Sequence, residues 1–417
     1  MADYTTPFNG TERIVGMQSG QRVDFSAADL AAYFGAAGVT APDPAARAAV
    51  ALPTLYTAVG NSIASGTTEA TKVGWTSYIP CIEPGLQMIR REAANWAFAN
   101  PGYTIQQMIN ADFHTSAAAS AAHVVIFGNL CANDFPTASN YLVIYNKILI
   151  LLAPSVAARK RIVIIADTPR GNGTTQGNAE NRQYQAQINL MLSKLCADNG
   201  YAFVDAHTAA VERATGNYDA TCTPDYVHPS EAYHWYIASL VAAAIKPPTS
   251  TRRLLMPTGG VLTTNPLLQN PTNNLASGWT LNAATGFTRD NPGPLIRGQS
   301  QGITSTGANS QIYRTDGGVQ AGKLLRASAV VEVLAGQPVQ SIGLYMKLYM
   351  SGSRQQDASF GSGNSSLAAA TPRFSMAPGI YWLPVEMMTE DAGSSQLTVA
   401  FQGDSLVVHH AAQYHPA

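Results

Sequence analysis

TLYTAVGNSIASG, residues 54–66, opens as a short apolar run over 54–59 and ends in a turn that carries Ser62 between Gly60 and Gly66. A brief run of Leu, Tyr and Val broken by glycine is the pattern of a buried parallel strand and the loop at its carboxyl end. Four later runs have the same character, over 95–99, 123–127, 161–166 and 201–204. The stretches 103–113, 138–152, 179–197 and 230–245 lie between or after them and carry apolar residues at helical spacing. This alternation predicts a parallel sheet covered by helices, spanning residues 46–248.

The flanks read differently. Residues 1–45 are polar, then Ala-rich with a short helical stretch before Gly35, Pro42 and Pro44, and are expected to be an attachment segment. The run Pro247, Pro248, Thr249, Ser250 reads as a linker. Beyond it, residues 249–417 show turns rich in Gly and Asn and alternating segments such as SIGLYMKLYMSG and LTVAFQG, so an all-β sandwich of jelly-roll type is expected there.

Composition excludes several classes. The chain of 417 residues is long enough for two or three domains. Its 25 Lys and Arg against 26 Asp and Glu give a net charge of −1, which leaves no basic field to hold a nucleic acid. The first residues show no basic segment followed by an apolar one, so no secretory leader is expected. The apolar run over 141–153 is shorter than a bilayer span and is interrupted by Asn146 and Lys147, so no membrane insertion is expected. Cys81, Cys131, Cys196 and Cys222 form no C-x-x-C pair, and buried thiols are the expected state.

In an open α/β sheet, reactive residues gather on the loops at the carboxyl ends of the strands. Here those loops read VGNSIASG, ANPGYT and FGNLCAND, and CTPDYVHPSEAYHW precedes the last helix. Their order resembles that of the SGNH, or GDSL-like, serine esterase family. GNSI at 60–63 stands for the Gly-Asp-Ser block with Asn61 in place of aspartate, Gly102 for the lone glycine, GNLCAND for a stretched G-x-N-D, and Asp225 to His228 for D-x-x-H. The resemblance covers roughly residues 46–248 and implies a flavodoxin-like three-layer α/β/α domain.

It also implies roles. Ser62 would be the nucleophile, His228 its base and Asp225 the carboxylate that orients the ring, because a serine hydroxyl at neutral pH needs such a base to attack an ester. The oxyanion would be met by the backbone N–H of Ser62, the N–H of Gly102 and the side-chain amide of Asn133, with Asn129 a competing amide. Asp134 reads as a structural clasp. No metal or organic cofactor is implied. For His228 the competing reading is a histidine at the start of the next helix, and for Gly102 an ordinary Pro-Gly turn.

The string GDSL itself occurs at 403–406, but no βα unit presents that serine, so it reads as a turn. His409, His410 and His415 read as a solvated tail. The segment NPLLQNPTNNLASGWTLNAATGFTRD resembles the opening of carbohydrate-binding modules, in which Trp279, Tyr313, Tyr345, Tyr349 and Trp382 would be candidates to stack on sugars, with a core position the stronger expectation for each. FNGTERIVGMQSGQRVDFSAADLAAYF is similar to connecting segments of bacteriophage tail fibres and tailspikes, which implies a virion location and a homotrimer. The expected function is removal of O-acetyl groups from a bacterial surface polysaccharide. The alternatives are a glycan-binding fibre component without catalysis, and a lipase or thioesterase.

Overall fold

The computed structural model describes residues 13–18, 21–26, 54–65, 74–83, 85–89, 97–171, 177–245, 261–263, 268, 274–291, 298–307, 310–360 and 375–415. Residues 1–52 form one compact unit and 53–417 another. In the first unit, β1 (Arg13–Gln18) and β2 (Gln21–Ser26) pair antiparallel, with Arg13 opposite Ser26 and Gln18 opposite Gln21. The helical stretch expected before Gly35 and the linker at 247–250 lie outside the described residues.

The second unit begins with β3 (Thr54–Gly60), α1 (Ser62–Ser65), α2 (Trp75–Ile82), β4 (Leu86–Met88), β5 (Phe98–Ala99), α3 (Ile105–Asn110) and α4 (Phe113–Ala119). It continues through β6 (Val124–Gly128), α5 (Tyr141–Ala157), β7 (Arg161–Ile165), α6 (Ala179–Asn199), β8 (Ala202–Val204) and α7 (Glu231–Ile245). The strands form one parallel sheet in the order β4-β3-β6-β7-β8, with β5 pairing the carboxyl end of β3. Alternate residues serve opposite faces, as the period of a strand requires. Val124, Ile126, Val163 and Ile165 pack toward Trp75, Tyr78 and Trp235 of α2 and α7. Val125, Phe127, Ile162 and Ile164 pack toward Met108, Phe113, Ile148, Leu151 and Leu192 on α3 to α6. Helices therefore cover both faces, and chain order reverses between β3 and β6, where open α/β sheets leave a crevice.

Three local features depart from the sequence reading. The helix expected over 103–113 is broken in two, because Asp112 adopts a left-handed φ of 53° between α3 and α4. The helix α2 and the strand β4 were not expected; Pro80 sits inside α2 and disguises it. The strand expected over 95–99 is only Phe98–Ala99 among the described residues.

The carboxyl-terminal strands are β9 (Thr280–Asn282), β10 (Ala284–Asn291), β11 (Gly298–Ser305), β12 (Ser310–Val319), β13 (Leu324–Val333), β14 (Val339–Tyr349), β15 (Gln355–Phe360), β16 (Gly379–Met388), β17 (Gly393–Gly403) and β18 (Ser405–Tyr414). They form two antiparallel five-stranded sheets, β10-β11-β18-β13-β16 and β15-β14-β17-β12-β9. GDSL at 403–406 is the turn joining β17 to β18. The expectation of a solvated histidine tail is wrong for His409 and His410. Both are buried, since β18 lies between β11 and β13 rather than at an edge. Ser300 Oγ lies 3.0 Å from His409 Nδ1 and Glu332 Oε2 2.7 Å from Nε2, while burial pushes the pKa of His409 down and that of His410 to about 4. Trp279 is also buried, whereas Tyr313, Tyr345, Tyr349 and Trp382 are half-buried.

A row of aromatic rings joins these sheets to the α/β half. Tyr78 of α2 stacks on Trp235 of α7 at 4.1 Å and meets Phe360 of β15 edge-on at 5.9 Å, while Trp235 meets Tyr381 of β16 edge-on at 5.3 Å. Aromatic pairs add to the burial of their own large surfaces. Trp235→Ala is therefore expected to cost about 3–5 kcal/mol and to lower the melting of both halves together. Scanning calorimetry checks this, and a shift confined to one of two separate transitions would refute it.

Candidate active site

Ser62 is the first residue of α1, immediately beyond β3. The approach of β3 to β6 is close at this point: a Cβ on Gly60 would lie 2.7 Å from both the Gly128 carbonyl oxygen and the Ala64 Cβ. Asn61 fixes the turn from both sides of its amide. Its Oδ1 accepts from the Ile63 N–H at 3.1 Å, its carbonyl from the Ser65 N–H at 3.0 Å, and its Nδ2 donates to the Asn129 carbonyl of the loop after β6. An aspartate would offer only acceptors to that carbonyl. Asparagine in place of the expected acid thus suits a fully buried position between an N–H and a C=O.

The loop before α7 brings the other two residues to Ser62. His228 Nε2 lies 3.0 Å from Ser62 Oγ, and His228 Nδ1 lies 2.8 Å from Asp225 Oδ2. An ionised carboxylate only accepts, so the ring carries its proton on Nδ1 and leaves Nε2 to accept from the Ser62 hydroxyl. Asp225 Oδ1 accepts from the N–H groups of His228 at 2.7 Å and Val227 at 2.9 Å, which closes a tight loop under the imidazole. Burial pushes the Asp225 pKa up, but the hydrogen bonds from the His228 ring and from these two N–H groups outweigh it and hold it at about 2. Thr223 Oγ1 donates to the His228 carbonyl at 2.6 Å, and Ser230 N–H donates to the Cys222 carbonyl at 2.7 Å.

The other expected residues sit on neighbouring loops. Gly102 has a φ of 75°, which a side chain rarely adopts, and is exposed. Asn133 Nδ2 donates to the Tyr103 carbonyl at 3.0 Å, so its amide lies against the residue after Gly102 and keeps a second N–H. Asp134 clasps the same segment, its Oδ2 accepting from the Ile105 N–H at 3.0 Å. Asn129, the competing amide, is fully buried and directs Nδ2 toward Thr168 Oγ1 at 3.4 Å, beneath the loop rather than toward solvent. Among the described residues nothing accepts from the Ser62 N–H.

Two residues that sequence reasoning passed over support the site from below. Arg170 is buried, and its guanidinium donates through Nη2 to the Ala132 carbonyl at 2.6 Å and through Nη1 to the Val227 carbonyl at 3.2 Å. One cation thereby ties the loop of Asn133 to the loop of His228, and burial lowers its pKa against the opposing pull of Asp167. Asp167 Oδ2 accepts from Cys131 N–H at 3.2 Å and Sγ at 2.9 Å, and burial pushes this carboxyl up. The signal for both was their place: an acid and a base in ADTPRG, directly after an apolar strand, in a chain with only 12% charged residues. All four cysteines are buried thiols. Among the described residues no cluster of three His, Cys, Asp or Glu side chains could hold a metal ion.

Residues 58–236 match the model of the GDSL-like lipase/acylhydrolase family. Similar solved structures include a lipase/acylhydrolase from Enterococcus faecalis, at 14% identity over 48% of this chain and 99% of that one, with a TM-score of 0.38. A GDSL-like lipase from Bacteroides thetaiotaomicron is 16% identical over 52% of this chain and 94% of its own, at a TM-score of 0.36. A catalytic mutant of an acetylxylan esterase from Geobacillus stearothermophilus is 18% identical over 48% and 97%, at a TM-score of 0.37. No curated protein sequence matches the chain.

Two substitutions test this framework. Asn61→Asp sets a carboxylate against the Asn129 carbonyl and is expected to cost about 2 kcal/mol at neutral pH. The loss should shrink in acid, where the carboxyl regains a proton to donate, and chemical unfolding at two pH values measures it. Burial, opposed by the Ile105 N–H, pushes Asp134 from 3.8 up to about 6. The native chain therefore holds this proton more tightly than the unfolded chain, and that contribution fades as pH rises through the same interval. Asp134→Asn is expected to stabilise the protein by on the order of 2 kcal/mol at pH 7 and not at pH 4, read as the difference in unfolding midpoint from wild type.

Proposed function

We propose that this chain is a serine esterase that removes O-acetyl groups from a bacterial surface polysaccharide, acting as a homotrimeric component of a phage tail fibre or tailspike. The observation that carries the reading is the hydrogen-bonded chain from Asp225 through His228 to Ser62. The match of residues 58–236 to an acylhydrolase family supports the same chemistry.

Ser62 Oγ attacks the acetyl carbonyl as its proton passes to His228 Nε2, and Asp225 holds the resulting imidazolium in register. Negative charge develops on the carbonyl oxygen and is met by the N–H of Ser62, the N–H of Gly102 and the second N–H of Asn133 Nδ2. Donors set before the reaction need no reorganisation at that moment, and removing one typically costs about 10²–10³ in rate. Collapse expels the sugar hydroxyl, which takes its proton back from His228. Water then repeats the sequence against the acetyl-serine, with His228 again as base, and acetate leaves.

The polymeric glycan and the virion setting rest on the sequence resemblances of the two flanks. Two antiparallel sheets attached to the α/β half suit a chain that must hold an extended polymer while one acetyl group reacts. An acyl-chain lipase would instead want a long apolar channel, and among the described residues no feature of the appended sheets calls for one.

The test is acetate release from O-acetylated polysaccharide, together with hydrolysis of p-nitrophenyl acetate, by wild type and Ser62→Ala. Loss of a serine nucleophile should lower kcat by about 10⁴-fold or more. Equal rates from the two proteins would end the assignment. Comparison of acetyl with octanoyl esters separates the deacetylase from a lipase, which would prefer the longer chain.

A further inference from the structure

Among the described residues, the large apolar side chains left exposed include two aromatics, Phe135 at 37% and Tyr226 at 41%. Both stand on loops of the candidate active site. Tyr226 lies between Asp225 and His228, and Phe135 lies two residues beyond Asn133. The Arg170 guanidinium, which reaches the Ala132 carbonyl with one nitrogen and the Val227 carbonyl with the other, keeps these two loops side by side.

Each residue also has a backbone its side chain disfavours. Phe135 has a φ of 48° and Tyr226 a φ of 62°, in the left-handed region where bulky residues are outliers. The neighbouring structure enforces this. Gly171 N–H donates to the Tyr226 carbonyl at 3.0 Å, and Asn140 Nδ2 donates to the Phe135 carbonyl at 3.3 Å. Gly171 also makes room for the tyrosine, since a Cβ there would fall 2.4 Å from both the Cβ and the Cδ1 of Tyr226. Backbone strain held by surrounding contacts concentrates at ligand clamps. Two such residues on adjacent loops call for an occupant.

We propose that Phe135 and Tyr226 are stacking platforms for sugar rings on either side of the reacting acetyl group, so that the glycan is recognised by its flat faces beside Ser62. The proposal rests on the esterase reading and extends it to the substrate. The chemistry around the rings favours a sugar over a fatty chain. Polar residues flank both rings in the chain, Asn133 and Asp134 before Phe135 and Asp225 before Tyr226, a setting that suits a hydroxyl-rimmed ring with an apolar face.

The experiment compares glucose pentaacetate with triacetin. Both are small acetates of polyols, and only the first has a sugar ring. The variants Tyr226→Asn and Phe135→Asn remove each ring while keeping a residue that tolerates the left-handed backbone. The ratio of kcat/KM for glucose pentaacetate over triacetin is expected to fall about tenfold in each, through KM, as loss of a ring contact would give. Tyr226→Trp should restore the ratio. A ratio that stays at its wild-type value in both asparagine variants would overturn the proposal. Wild type that hydrolyses neither ester would refute the esterase reading instead. The stacking proposal is then decided by saturation-transfer NMR of glucose pentaacetate with Ser62→Ala protein: transfer that is lost in the asparagine variants sustains it, and transfer that is absent or unchanged overturns it.

Discussion

The hydrogen bond between Ser62 and His228 joins the loop after the first strand of the α/β sheet to the loop before its last helix, and it forms only if everything between them is wound correctly. Two short paths aim its ends. On one side, β3 runs so close to β6 that a side chain on Gly60 would strike the Gly128 carbonyl, and Asn61 ties the same two loops by its amide. On the other side, Asp225 gathers two backbone N–H groups and the imidazole into one turn. Arg170 connects the paths from below. A buried cation of this kind is expensive to desolvate, so its hydrogen bonds to two loop carbonyls serve positioning more than net stability.

Much of this was legible in the sequence because strand ends announce themselves. Apolar runs of the parallel sheet stop at polar or glycine-rich loops that hold Ser62, Gly102 and Asn133, and the segment before the last helix holds Asp225 and His228. What the sequence concealed has physical causes. Pro80 hides α2, which is held by packing of Trp75, Tyr78 and Ile79 rather than by propensity. Asp112 splits a continuous apolar pattern with one left-handed residue. His409 and His410 look like solvated residues, yet a strand near the chain terminus lies in the middle of a sheet, and Ser300 and Glu332 satisfy one of the two rings across the strands. Arg170 leaves no mark in a motif because its partners are backbone carbonyls, and only its place in ADTPRG after an apolar strand points to it.

The aromatic row Phe360, Tyr78, Trp235 and Tyr381 gives the appended sheets a consequence for the α/β half. Trp235 belongs to the helix whose amino end follows His228, so β15 and β16 pack on the element next to the loop of that histidine. Small shifts at such a contact pass through close-packed side chains, which do not deform continuously. The appended sheets thus pack on the helix that follows the loop of His228.

The central claim is that His228 activates Ser62. Covalent labelling by a fluorophosphonate, followed by mass spectrometry of the intact chain and its peptides, tests it most directly. The account predicts a single phosphonyl group on Ser62 in wild type and labelling slowed by orders of magnitude in His228→Gln. A serine that remains unlabelled in folded protein, or one that reacts at the same rate without the imidazole, would contradict it.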